Sequence, residues 1–287
     1  MTTTASAGAR SFVKMHGLGN DFAIFDARRQ PLSLVPEQVR LLAHRRLGIG
    51  CDQLIVIEAA EDADASLCFF NADGSGAGAC GNGTRCVAAL LFAERPRREV
   101  RLQTASGLLC ARSQANGLIE VDMGAPRFAW SDIPLARDLD TLYLPLREGP
   151  LAEPSAVSMG NPHLVFFVAE DAAIDLAVLG PRLEHHPLLP ERANISVARV
   201  RDRGHIRLDV WERGAGLTLA CGTAACAAAV AAARRNLTDR TLEVRLPGGT
   251  LQLDWGEDGH VRMTGPVAVA YMGMVEVPAI AGLEAAS

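Results

Sequence analysis

Ala79-Cys-Gly-Asn-Gly-Thr-Arg-Cys86 and Ala220-Cys-Gly-Thr-Ala-Ala-Cys226 are one pattern written twice, and the distance between them organises the chain. Each places a cysteine and a glycine ahead of a run that reads as a helix, Thr84 to Glu94 and Thr223 to Arg235. Sliding the sequence along itself by 141 residues superposes the two. The same shift lays Gly19-Asn20 on Gly160-Asn161, Gln53 on Asn194, Asn71 on Glu212, Gly107 on Gly248 and Gly124 on Gly265. The matched positions are glycines, amides, acids and cysteines. Hydrophobic patterning alone rarely makes such residues coincide.

The segments around the repeat agree in both halves. Phe22-Ala-Ile-Phe25 and His163-Leu-Val-Phe-Phe167 read as strands after a Gly-Asn turn. Leu67 to Phe70 and Ile206 to Trp211 read as strands ahead of a glycine-rich turn, and Val100 to Gln103 and Leu242 to Leu246 as strands after the helices. The second helix is almost wholly alanine and valine before Arg234, so it has no polar face and is expected to be buried. The pattern predicts an α+β protein of two pseudo-symmetric halves, each a mixed, barrel-like sheet wrapped around a buried central helix. The halves are expected at residues 1–125, joined by the tail 267–287, and 126–266, with the active site in the cleft between them.

Composition narrows the function. The chain has 287 residues, 49% hydrophobic and 21% charged, with a net charge of −5. That is ordinary for a globular protein and lacks the basic surplus of a nucleic-acid binder. The longest apolar run, Ala224 to Ala233, is too short to span a bilayer, and no secretory segment precedes the first strand; a cytoplasmic protein is expected. Lys14 is the only lysine, so no other residue could form a Schiff base. Seven cysteines are too few and odd in number for a disulfide framework. Cys51, Cys68, Cys110 and Cys226 are expected to be small core residues, and Arg85 and Cys86 to be structural.

Cys80 and Cys221 differ from these, because each stands where a buried helix begins. A helix N-terminus lowers a thiol pKa and offers unpaired N–H groups to an anion. Gly81-Asn82 and Gly222-Thr223 would cradle a carboxylate, and two facing halves would put one sulfur on either side of its α-carbon. That arrangement suits inversion of a carbon acid, one thiolate removing the proton and the other thiol returning one. No dinucleotide fingerprint, phosphate loop or zinc-ligand spacing competes for these residues, and neither a metal nor a cofactor is expected. A non-catalytic binder or a thiol redox module would also carry two such cysteines.

Taken together, the motifs resemble those of the diaminopimelate epimerase family. The matching segments are Lys14-Met-His-Gly-Leu-Gly-Asn-Asp-Phe22, Gly48 to Gln53, Phe70 to Ser75, Cys80 to Cys86, Gly160-Asn-Pro-His163, Glu191-Arg-Ala-Asn194, Trp211 to Gly216 and Ala220 to Thr223. The resemblance implies an isomerase that interconverts LL- and meso-2,6-diaminopimelate without pyridoxal phosphate, in lysine and peptidoglycan precursor synthesis. It implies Cys80 and Cys221 as the acid/base pair, with Cys221 accepting the proton of the LL substrate. It implies His163 and Glu212 as the groups that tune them. Asn20, Gln53, Asn71, Gly81, Asn82, Asn161, Asn194, Glu212, Arg213, Gly222 and Thr223 are implied as the substrate shell. It also implies a homodimer, with the region around Tyr271 a candidate surface. Proline and hydroxyproline racemases share the fold and both cysteines, but need no shell for a distal amino-acid centre. Leu217 and Ala224 depart from the family pattern, which often has Glu or Gln and Gly there.

Overall fold

The computed structural model describes residues 8–278, so the outer ends of the first half and of the tail, residues 1–7 and 279–287, lie outside the described residues. The chain is mixed α+β and forms two compact units. The first holds the residues up to Gly17, Asp21–Arg112 and those from Val267 on; the second holds Leu18–Asn20 and Ser113–Pro266. Residues 113–125 therefore group with the second unit. Their strand Ile119–Asp122 pairs antiparallel with Val261–Gly265, Val121 opposite Met263. Four helices are described: α1 (Pro36–Ala43), α2 (Gly81–Glu94), α3 (Leu176–Glu184) and α4 (Gly222–Arg234).

In the first unit Asn20–Asp26 runs parallel to Gln53–Glu58, which pairs antiparallel with Ala65–Asn71. Ala65–Asn71 then runs parallel to Glu99–Thr104, which turns back antiparallel into Gly107–Ser113. Successive side chains of a strand point to opposite faces, and this sheet uses both. Ala23, Phe25, Leu54 and Val56 pack in one cluster with Val39 and Leu42 of α1. The alternate residues Phe22, Ile55 and Phe69 press on α2 at Gly83. The tail strand Ala268–Glu276 closes the unit by pairing antiparallel with Ala9–Gly17.

The second unit repeats the plan. Pro162–Val168 runs parallel to Asn194–Asp202, and that strand pairs antiparallel with His205–Glu212. Val165, Ala198, Ile206, Leu208 and Val210 pack around α4, while Leu164, Phe166, Ile195 and Val197 pack against Leu176, Leu179 and Leu183 of α3. Alanines let these neighbours approach α4 closely, and every residue from Ala224 to Ala232 is buried.

The register confirms the internal repeat and corrects it in one respect. Phe22 pairs with Gln53 as His163 pairs with Asn194, and Leu54 with Phe70 as Ile195 with Trp211, each at the 141-residue shift. Beyond the central helices the shift becomes 142: Val100 opposite Ala111 matches Leu242 opposite Leu253. Gly107 therefore corresponds to Gly249, not Gly248; both turn the chain at positive φ, 119° and 144°. The same step moves Gly124 off Gly265. The extra residue lies in the exit from α4. Arg235 caps that helix and Asn236 adopts φ 56°, whereas α2 ends directly in an extended Arg95.

Candidate active site

Both central helices begin one residue after their cysteine. Cys80 and Cys221 are extended N-cap residues, and their carbonyls accept the first helical bonds, from Thr84 N (2.8 Å) and Ala225 N (3.0 Å). The helices thus start at Gly81 and Gly222, up to a turn earlier than expected. Gly81 and Asn82, or Gly222 and Thr223, form each first turn, whose N–H groups have no partner within the helix.

In the first unit Cys80 is half-buried and Asn82 is buried. Gln53 and Asn71 face each other across the sheet, and Gln53 Nε2 donates to Asn71 Oδ1 at 2.9 Å. Asn71 donates onward to Ser75 Oγ at 3.0 Å, inside a turn held by its own Asp73, which accepts from Ser75 N at 2.8 Å. Lys14 is structural: it is buried, pairs with Asp21 and donates to Gly50 O. Burial works against ionisation of Asp21, but hydrogen bonds from Arg45 and Lys14 outweigh it and hold that carboxyl below the usual carboxylate range.

The second unit gathers more of the expected residues. Cys221 is buried, with its sulfur 3.5 Å from Thr223 Oγ1. Asn161 Nδ2 donates to Thr223 Oγ1 at 3.3 Å, and Asn161 Oδ1 lies 2.9 Å from His163 Nε2. With the amide so oriented, His163 is the Nε2–H tautomer. Burial, reinforced by the nearby Arg213 charge, pushes its pKa down to about 3, so the ring is neutral. Its Nδ1 has no hydrogen-bond partner among the described residues. At Cys221 burial is the largest influence and the Glu212 carboxylate the next; together they hold the thiol well above its ordinary value. Hydrogen bonds from Thr223 and from the Ala224 N–H act the other way, and Glu212 itself hydrogen-bonds to the sulfur. Cys221 is therefore a thiol in this structure, hydrogen-bonded to the Glu212 carboxylate.

Beside this cluster, Asn194 donates to Pro162 O at 3.0 Å and accepts from Arg213 N at 3.0 Å. The Arg213 guanidinium donates to Glu191 O at 3.0 Å. Asn20 starts the strand Asn20–Asp26 after Leu18 and Gly19, which both turn at positive φ. Gly19 has no room for a Cβ, which would come 2.8 Å from Leu219 Cδ1.

The chain matches the family model described as diaminopimelate epimerase over residues 12–129 and 155–270. It belongs to the diaminopimelate epimerase family. A diaminopimelate epimerase of Acidiphilium cryptum is 53% identical over 275 residues, covering 96% of this chain and 99% of its own. One from Rhodospirillum centenum is 54% identical over 266 residues, covering 92% and 91%. Solved structures share the fold at low identity. A hydroxyproline epimerase from Agrobacterium vitis, with bound trans-4-hydroxy-L-proline, superposes with a TM-score of 0.66 at 14% identity, over 93% of this chain and 92% of its own. A phenazine biosynthesis protein of the PhzF family from Bacillus anthracis gives 0.65 at 18%, over 93% and 99%. The hydroxyproline epimerase and the phenazine protein thus have one scaffold in common with this epimerase-family member.

Two expectations need adjustment. Cys51 and Cys226 are core residues, but Cys68 and Cys110 are only half-buried. Cys68 donates to Glu58 at 3.4 Å, at a sheet position that alternates toward partial exposure. Sequence patterning also passed over Glu184. This buried carboxylate accepts from Trp211 Nε1 at 2.8 Å and from Gly214 N at 3.0 Å. A signal was present: Leu176, Leu179, Leu183 and Glu184 fall on the one buried face of α3, so an acid occupies an apolar stripe. Among the described residues no group of His, Cys, Asp and Glu is placed to hold a metal, and no helix is long and apolar enough to cross a membrane.

Proposed function

We propose that the chain epimerises diaminopimelate between its LL and meso forms, with Cys80 and Cys221 as the two proton-transfer groups. The observation that carries this reading is the surroundings of Cys221. A sulfur at a helix start lies between a carboxylate that can take its proton and a hydroxyl that can stabilise the resulting thiolate. For the LL substrate, Glu212 takes the Cys221 proton, the thiolate removes the α-proton, and the Cys80 thiol delivers its own proton to the opposite face of the carbon. For the meso substrate the roles reverse, and Cys221 donates from the thiol form it already holds. The backbone N–H groups of Gly81-Asn82 and Gly222-Thr223 bind the carboxylate as it becomes enediolate-like. Asn20, Gln53, Asn71, Asn161, Asn194 and Arg213 recognise the zwitterionic ends, with His163 and Glu212 tuning the thiols. A substrate lacking the distal centre would leave these polar groups unmatched, which disfavours proline.

The family relationship supports the substrate, and a role in lysine and peptidoglycan precursor synthesis follows from it. Cytoplasmic location and homodimer formation belong to the same proposal. The dimer is supported by the outer residues of Ala268–Glu276, where Tyr271 is 48%, Met272 69% and Met274 71% exposed. Incubation with LL-diaminopimelate in deuterium oxide tests the central claim. One deuterium should enter the α-position as the meso isomer forms, with no turnover of proline. Turnover of proline and not of diaminopimelate would overturn the substrate assignment.

A further inference from the structure

We propose that Glu184 is a positioning residue for the proposed epimerisation. It fixes the turn that carries Glu212 and Arg213, and so sets both the ionisation of Cys221 and the grip on the substrate carboxylate. The inference rests on the functional reading above and adds a residue to it.

Glu184 is the last residue of α3 and is only 3% exposed. Each of its oxygens has a separate task. Oε2 accepts from the Trp211 indole and Oε1 from the Gly214 backbone N–H, 27 and 30 residues away in sequence. The donors bracket Glu212 and Arg213. Asn194 Oδ1 holds the Arg213 N–H from the other side. Within the turn, Ala215 N donates to Glu212 O, and Gly214 and Gly216 take φ of 76° and 82°. Helix α3 lies hard against the same tryptophan, for a Cβ on Gly180 would sit 2.5 Å from its ring. The indole is thus pinned by its N–H and by its face, and it carries the start of the turn with it.

A buried carboxylate is a costly way to satisfy an indole and an amide, because desolvating the charge opposes folding. Arg192 reaches it at 3.5 Å but is half-exposed, which weakens that compensation. The fold itself does not require the acid. At the equivalent place in the first unit the helix ends in Ala43, and the equivalent turn after Asn71 is held by its own Asp73 and Ser75 and by the exposed Arg40 of α1, which donates to Asp73 O. Among the described residues, only the turn bearing Glu212 and Arg213 is tied to a distant buried carboxylate. A rigid tie is what a group must have if it is to stay within hydrogen-bond reach of a thiol.

The test uses the full chain and compares Glu184→Gln with Leu183→Ala, which damages the same helix face and removes no hydrogen bond to the turn. Glu184→Gln should raise KM for LL-diaminopimelate, lower kcat/KM about 10-fold to 100-fold, and shift the pH–rate profile. Leu183→Ala should lower stability and leave KM and the pH profile of the folded enzyme as in the parent. If Glu184→Gln does not fold, Trp211→Phe removes a single tie and should move KM and the pH profile in the same direction, more weakly. A parental KM and pH profile in the soluble variant that lacks a tie overturns the proposal, as does an equal kinetic effect of Leu183→Ala. Absence of turnover in the parent chain would instead refute the functional reading.

Discussion

The two turns that lead into the central helices have the same backbone origin but are held in different ways. After Asn71 the turn is braced within itself, Asp73 accepting from Ser75 and Ser75 from Asn71, and by α1, whose exposed Arg40 donates to Asp73 O at 3.0 Å and whose Pro36 packs against Gly74. After Glu212 the N–H groups of the turn go to a buried carboxylate, Glu184, and to the Asn194 side chain. The cysteines differ in parallel. Cys80 is half-buried, whereas Cys221 is buried with Glu212 on its sulfur. Duplication kept the strand register and the helix starts, and it left each half free to choose what surrounds its thiol.

The strongest way to break this picture is to remove either sulfur. Inversion needs a base on one face of the α-carbon and an acid on the other. Cys80→Ala and Cys221→Ala should therefore each cost about 1,000-fold or more in epimerisation, read by chiral separation of the diaminopimelate isomers. Near-parental activity in either variant would mean that the two thiols are not the pair.

His163 separates the halves next, since its counterpart is the buried Phe22. Its folded-state pKa lies near 3, below the ordinary 6.5. The unfolded chain therefore takes up a proton that the folded protein refuses, as the pH falls from about 6.5 toward 3. Stability from this group is present in full above pH 6.5 and declines on acidification, by up to about 1.4 kcal/mol per pH unit. His163→Phe should flatten that part of the curve in denaturant titrations run between pH 7 and 4. An acid slope unchanged by the substitution would show that the imidazole is not held neutral.

Much of this asymmetry could be read from the sequence and some could not. The repeat, the Cys-Gly entry to each central helix and the strands were legible because glycines, amides and alternating apolar residues carry them locally, although α2 begins a turn before Thr84. The step from 141 to 142 was not, because it depends on how α4 ends at Asn236, and hydrophobic periodicity is blind to a one-residue change between elements. Glu184 shows in the sequence only as an acid in an apolar stripe, because its partners are brought to it by the sheet and by α3. Thr223 stands out in the sequence as the residue after Cys-Gly, but its contact with the Cys221 sulfur needs coordinates.

The finest contrast lies at the third residue of each central helix, Gly83 against Ala224. A Cβ on Gly83 would come 2.7 Å from Ile55 Cδ1 and 2.9 Å from Phe69 Cε1, so the first unit has no room for a methyl group. The counterparts of Ile55 and Phe69 in the second unit are the smaller Ser196 and Val210, which stand opposite each other in the sheet, and there the methyl of Ala224 is fully buried. Gly83→Ala gains about 1 kcal/mol of helix propensity but meets an overpacking cost of about 1–3 kcal/mol, and a net loss is expected. Ala224→Gly loses about 1 kcal/mol of helix propensity as well as the buried methyl. Both substitutions should therefore lower the midpoint of chemical unfolding, although they are the reverse of each other. If either raises it, the two helix starts are packed alike and the glycine in the first reflects ancestry rather than the bulk of Phe22, Ile55 and Phe69.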